Sequence, residues 1–445
     1  MQKFDILICN AQILTMDSNF TEYKSGFLGI SGGRISALGE MSELSNYEAV
    51  TIIDAGGKIL LPGFVNTHTH IAMTVFRGVA DDIALHDWLM KYIFPIEKEY
   101  VTEDLVLKGA RLAILEMLST GTTCFNDMYY FADKVGQAAA ELGMRGIISE
   151  GLVDFAAPNT KTPDDGLEYN EFLIQKYKNH PLVRVGISSH APYTCSPELL
   201  QKAENQAKTH GLNHHIHIAE TEWEFQKFWD EHGVSPLQYL DNLGVISDRT
   251  VAAHGIWLTD EDISILKKRN AGVAHNPECN MKISSGAARI PELLDADVKV
   301  GLGTDGPASN NDMDMFGEMR AMALLHKFAS KDPTVLPAKQ ALRIATKGGA
   351  ELLNLDKEIG SIEIGKCADF ILVETAGFAA VPMYDAYSAL VYSIGSQAVS
   401  DTFVSGKHVY QNKKFPNVDV LKIITDVREL SAHIHPASSA YSETL

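Results

Sequence analysis

The sequence is short of three things, and each shortage excludes a class of function. Cysteine is scarce. Cys9, Cys124, Cys195, Cys279 and Cys367 are five, an odd number, widely scattered and without a Cys-x-x-Cys pair. Neither a disulfide framework nor a thiolate zinc site is expected, and a reducing cytoplasm fits this usage. Basic charge is in deficit, with a formal net charge of −19. Nucleic acids and anionic membranes need a basic face, so neither is an expected partner. Long apolar runs are missing as well. No stretch approaches the ~20 uninterrupted apolar residues of a membrane span. Near the start, Asp5 and Asn10 interrupt Ile6-Leu7-Ile8-Cys9, so no signal peptide is read there.

What the chain does have is material for a core. Hydrophobic residues make up 45% of its 445 positions, which argues against disorder. The length suits one large barrel plus a smaller unit. Both ends read as short strands and turns. Gly29 to Gly39 has the form of a hairpin, Gly365 to Val373 a turn into a strand, and Thr402 to Tyr410 two strands about a glycine turn. We expect residues 1–58 and 365–445 to form one small β-sandwich, with a closing helix over 418–434.

The middle, 59–364, alternates strand and helix patterns. Eight apolar or mixed runs are counted, at 59–70, 122–127, 145–150, 183–190, 214–220, 250–254, 272–276 and 298–305. A helical pattern over 104–118 stops at Gly121. Eight such repeats predict an α/β fold, a (β/α)8 TIM barrel, with catalytic side chains at the C-terminal ends of its strands.

That rule gathers scattered residues into one ring. His68 and His70 end the first strand and, at i and i+2, share a face. The fifth gives His217 and the eighth gives Asp305. Three imidazoles and a carboxylate suit Zn²⁺, with a position left for water. His215 is expected inside the barrel as a hydrogen-bonded core residue, and His214 is expected to face the helices. Glu220 is a candidate proton shuttle, His254 a candidate for orienting the attacking water, and His190 a candidate substrate contact. No lysine ends the fourth strand, so a second metal bridged by a carboxylated lysine is not expected. His275 is read as shaping a loop, and His433 and His435 as solvated. Cys279 shows no His or Asp partner by sequence, so no thiol nucleophile is expected.

These motifs resemble the amidohydrolase superfamily, and within it the branch of 5′-methylthioadenosine/S-adenosylhomocysteine deaminases and s-triazine hydrolases. They are Pro62-Gly63-Phe64-Val65-Asn66-Thr67-His68-Thr69-His70, His215-Ile216-His217-Ile218-Ala219-Glu220-Thr221, His254-Gly255, His275-Asn276-Pro277, and the long run from Gly303-Thr304-Asp305 through Ser309 to Phe316. The resemblance implies one zinc per chain on His68, His70, His217 and Asp305, with Fe²⁺ or another divalent ion as the alternative. It implies catalytic roles for Glu220, His254 and Asp305. It also implies substrate contacts by Trp88, Glu97, His190, Glu220 and Ser309, with Glu97 accepting from the ribose hydroxyls.

One departure stands out. Relatives that take S-adenosylhomocysteine carry arginines at and after the end of the third strand, where this chain has Glu150 and no arginine. Glu150 is therefore expected to face the substrate tail and repel a carboxylate. The implied activity is zinc-dependent deamination of an adenosine-type nucleoside. 5′-Methylthioadenosine, 5′-deoxyadenosine or adenosine would be preferred over S-adenosylhomocysteine. The alternatives are a deaminase or chlorohydrolase of an s-triazine, guanine or pterin, and a non-catalytic barrel scaffold. A small-molecule substrate and a homo-oligomer are expected.

Overall fold

The computed structural model describes residues 2–434, so His435 and the end of the segment expected at 365–445 lie outside the described residues. Its centre is a closed parallel barrel. The strands are Phe64–Thr69, Thr122–Tyr129, Arg145–Leu152, Val183–Val185 continued by Ile187–Ser189, His214–Ile218, Thr250–His254, Gly272–His275 and Lys299–Leu302. The last pairs with the first at Leu302 and Asn66, which closes the ring. The fourth strand breaks at Gly186, where a Cβ would stand 2.8 Å from Ser149 Oγ.

Helices fill the connections, and their ends follow capping chemistry. Glu103–Ser119 starts where Thr102 accepts from Leu105 N, and Pro163–Tyr177 starts in a Thr162/Asp165 capping box. Among the described residues no helix is long and apolar enough to cross a membrane.

The chain ends build one further sheet. Its strands are Gln2–Leu14, Glu22–Ser31, Arg34–Glu40, Tyr47–Asp54, Ile59–Pro62, Phe370–Val373, Val399–Val404 and Lys407–Tyr410. The run read as a single strand over 59–70 is therefore two. Ile59–Pro62 lies in this sheet, paired with Gln2–Leu14 on one side and Phe370–Val373 on the other. Phe64–Thr69 begins the barrel. Gly63 is the joint, and a Cβ there would sit 2.2 Å from the Thr123 side chain. The sheet meets the barrel's lower end through a buried ion pair. Arg145 Nε and Nη2 donate to Asp369 at 2.8 and 3.2 Å, and Nη2 also reaches Ser405 Oγ at 2.9 Å.

Candidate metal centre and substrate pocket

The C-terminal ends of the strands bring His68, His70, His217 and Asp305 together, with one ligand-type atom from each lying within 4.8 Å of the others. His68 Nε2 and His70 Nε2 stand 3.1 and 3.3 Å from Asp305 Oδ1. His70 Nε2 and His217 Nε2 are 3.3 Å apart. The atoms facing away from the cluster are tied down. His70 Nδ1 donates to Met128 O and His217 Nδ1 to His190 O, both at 2.6 Å. These bonds leave two Nε2 lone pairs facing each other, an arrangement that a cation relieves. Burial, reinforced by the neighbouring histidines, holds His217 neutral, as a ligand must be. The donor set thus fits a divalent cation such as zinc.

His215 lies inside the barrel, with Nε2 at 2.8 Å from His68 Nδ1 and Nδ1 at 3.1 Å from Asn126 Nδ2. His214 points the other way, bonding Glu204 of the helix Pro197–His210 at 3.0 Å. His275 meets His326 at 3.0 Å within the helix layer, away from the cluster.

Three strands turn into their following loops through left-handed backbone. His254 has φ 71° and Asp305 φ 59°, as does Ala219 at 53°, just before Glu220. Such strain in non-glycine residues persists where surrounding contacts over-determine it. Glu224 supplies those contacts for Glu220, its carboxylate accepting from Ala219 N at 3.0 Å and Glu220 N at 2.9 Å. Glu220 Oε1 then lies 3.7 Å from His254 Nε2. Burial first, with Asp305 adding, raises the Glu220 carboxyl, although His254 opposes the shift. His254 Nδ1 donates to Asn280 Oδ1 at 2.9 Å, which turns Nε2 towards the cleft.

A cleft opens above the cluster. Trp88, Glu97, His190, Glu220, His254, Asp305 and Ser309 all line it. Trp88 and Glu97 come from the helical lid after the first strand, Trp88 on a wide π-type turn over Trp88–Ile93 and Glu97 on Phe94–Tyr100. Burial pushes the Glu97 carboxyl up to about 7, partly offset by the hydrogen bond from Tyr129 OH at 2.7 Å. His190 stays neutral through burial, with Nδ1 at 2.8 Å from Thr194 Oγ1.

Glu150 is a correction. It is fully buried but does not line the cleft; Gly151 does. Side chains alternate along a strand, and this register sends Glu150 into the helix layer. There it accepts from Ala132 N at 3.1 Å and Asn159 Nδ2 at 2.8 Å. Cys279 also differs from expectation, since its Sγ lies 2.8 Å from Asp305 Oδ2. Sequence reasoning missed Tyr129, Glu224 and Asn280 too. Tyr129 and Asn280 act through partners brought in by tertiary folding, whereas Glu224 holds backbone only four and five residues before it and carries a local signal, as the third residue after the helix cap Thr221.

Comparison with known proteins agrees with this geometry. Residues 59–409 match the amidohydrolase family. The 5-methylthioadenosine/S-adenosylhomocysteine deaminase of Syntrophobacter fumaroxidans is 41% identical over 433 residues, covering 97% of this chain and 99% of that protein. The 5′-deoxyadenosine deaminase of Methanosarcina mazei is 40% identical over 432 residues, covering 97% and 98%. A zinc-bound adenosine deaminase from Xanthomonas campestris superposes with a TM-score of 0.95 at 33% identity, covering 97% of this chain and 99% of that one. With the barrel, the ligand cluster and these matches in agreement, the chain belongs to the amidohydrolase family.

Proposed function

We propose that this protein is a zinc-dependent hydrolytic deaminase of an adenosine-type nucleoside, releasing ammonia and leaving the inosine-type product. The observation that carries the proposal is Glu97. A buried carboxylate held by Tyr129 at 2.7 Å shares the cleft with the four-ligand cluster. An ionised carboxylate accepts from both hydroxyls of a diol, as a ribose presents. Relatives at about 40% identity with deaminase names support the same reading.

A divalent cation on His68, His70, His217 and Asp305 supplies Lewis acidity and makes water a nucleophile at neutral pH. The chain's own residues handle the protons. Asp305 accepts the proton of the attacking water. Glu220 protonates the ring nitrogen beside the attacked carbon; Asp305 then passes the water proton to the amino group, which leaves as ammonia, and Glu220 takes the proton of the hydroxyl left on that carbon, giving the carbonyl product. His254, fixed through Asn280, orients the water with Nε2. His190 donates from Nε2 to a purine nitrogen, its Nδ1 satisfied by Thr194.

Glu97 also sets a pH dependence. Its carboxyl is raised by burial to about 7, so the accepting form is lost as pH falls through that value. kcat/KM for adenosine is expected to drop below about pH 7, and Glu97→Gln should lose this limb. An unchanged limb in that variant would refute the assignment.

We further propose that 5′-methylthioadenosine, 5′-deoxyadenosine or adenosine is preferred over S-adenosylhomocysteine. With Glu150 turned away, the support is the cleft wall itself. Among the described residues no lysine or arginine lines it, and Leu89, Ile93, Phe94 and Val153 do. A carboxylate tail would lose water there without gaining a partner. Comparing kcat/KM across the four nucleosides decides the matter, and S-adenosylhomocysteine as the best substrate would overturn it.

A second reading keeps the metal but takes another N-heterocycle. A zinc complex of the atrazine chlorohydrolase of Arthrobacter aurescens superposes with a TM-score of 0.89 at 26% identity, covering 96% of this chain and 100% of that one. Such compounds carry no ribose, so Glu97→Ala should spare activity under that reading and remove it under ours.

A further inference from the structure

We infer that Cys279 is a positioning residue for Asp305, its thiol donating to the carboxylate oxygen that the ligand cluster leaves unused. The inference rests on Asp305 acting as ligand and proton acceptor, as proposed above. Asp305 Oδ1 faces His68 and His70 at 3.1 and 3.3 Å. Oδ2 points the opposite way, with Cys279 Sγ at 2.8 Å and Ser309 Oγ at 2.9 Å. Ser309 has one hydroxyl proton to give, and Gly306 O competes for it at 3.1 Å. The thiol is the second donor on Oδ2, and it too lies beside the Ser309 hydroxyl.

The placement is built, since Cys279 is fully buried. It sits on the short helix Pro277–Lys282 that follows the seventh barrel strand, one residue before Asn280. Asn280 holds His254 Nδ1 at 2.9 Å. Two consecutive side chains therefore reach two groups that handle the water, Asp305 and His254. Asp305 needs such support, because its left-handed backbone at φ 59° does not by itself fix the plane of the carboxylate. A carboxylate that must hold a cation with one oxygen while accepting a proton depends on that plane. Either a thiol or a hydroxyl at this position can donate to Oδ2 and so fix that plane.

The test uses the zinc-loaded enzyme and compares Cys279→Val and Cys279→Ala, which remove the donor while one overfills and the other underfills the space of the thiol, with Cys279→Ser, which keeps a donor. Outer-shell partners of metal ligands typically contribute ~10–100-fold to activity or metal affinity. Cys279→Val is expected to lose that much in kcat, or in zinc retention against a chelator, with KM within ~3-fold of the parent. Cys279→Ser is expected to recover to within ~3-fold of the parent. Equal impairment in Val and Ser variants would show that the site needs the shape of the thiol, and would overturn the inference. So would a Cys279→Val protein with parental kcat and zinc retention. Cys279→Ala serves in place of Val if that variant fails to fold. If the parent releases no ammonia from any nucleoside, the functional reading fails, while the zinc-retention comparison still decides the role of Cys279.

Discussion

Glu220→Gln is expected to keep its metal and lose ~10²–10⁴-fold in turnover, the usual contribution of a positioned acid–base group. Glu220 is not one of the clustered ligand residues, so metal content should not change. Its side chain is buried beside His254, 3.7 Å from Nε2, and burial favours the protonated form that a general acid needs. Glutamine preserves size and hydrogen bonding but has no acidic proton to deliver. Ammonia release and metal per chain, measured on the same preparation, check both halves of the expectation. Turnover within ~3-fold of the parent would remove Glu220 from the mechanism.

Asp369→Ala is expected to destabilise the fold by about 3–5 kcal/mol, because it strands the Arg145 guanidinium in a buried position. Arg145 is 2% exposed and Asp369 3%, so water cannot take over the lost contact. The double variant Arg145→Met with Asp369→Leu should lose much less, since it leaves no buried charge unpaired. Chain length makes two-state unfolding an unsafe assumption. The measurement is therefore the shift of the first transition in a urea series, compared between single and double variants. A single variant as stable as the double one would show that the pair is not sealed from solvent. Activity at low temperature should survive in both, because the pair sits at the end of the barrel opposite the ligand cluster.

The clustered His68, His70, His217 and Asp305 were legible from sequence because each lies at or just beyond the end of a barrel strand. An apolar run ending in His or Asp marks such a place without knowledge of its neighbours, and the ring closure of the barrel then supplies the partners. Glu150 shows where that logic stops. It too lies near a strand end, but Ile147 and Ile148 are both apolar, so the pattern does not reveal which alternate set faces inward. In the fold Ile148 packs with the helix-side cluster, and Glu150, two residues on, follows it outward. Cys279, Asn280 and Tyr129 were opaque for another reason. Their roles consist of contacts to residues at least 26 positions away in the chain, and no local spacing encodes those. The split at Gly63 was hidden because Ile59–Pro62 and Phe64–Thr69 are both fully buried and read as one apolar strand.

That split has a bearing on how the molecule is made. Ile59–Pro62 is flanked by Gln2–Leu14, already synthesised, and by Phe370–Val373, which follows about three hundred residues later. While the ribosome builds the whole barrel, a fully apolar strand waits with one edge unpaired. Exposed edges of that kind recruit other strands, and slow assembly lengthens the exposure. The clustered His68 and His70 lie only a few residues beyond this edge. Nascent chains of this protein are thus open to mispairing at the strand that leads into the candidate metal centre, and the risk ends when Phe370–Val373 emerges to pair with it.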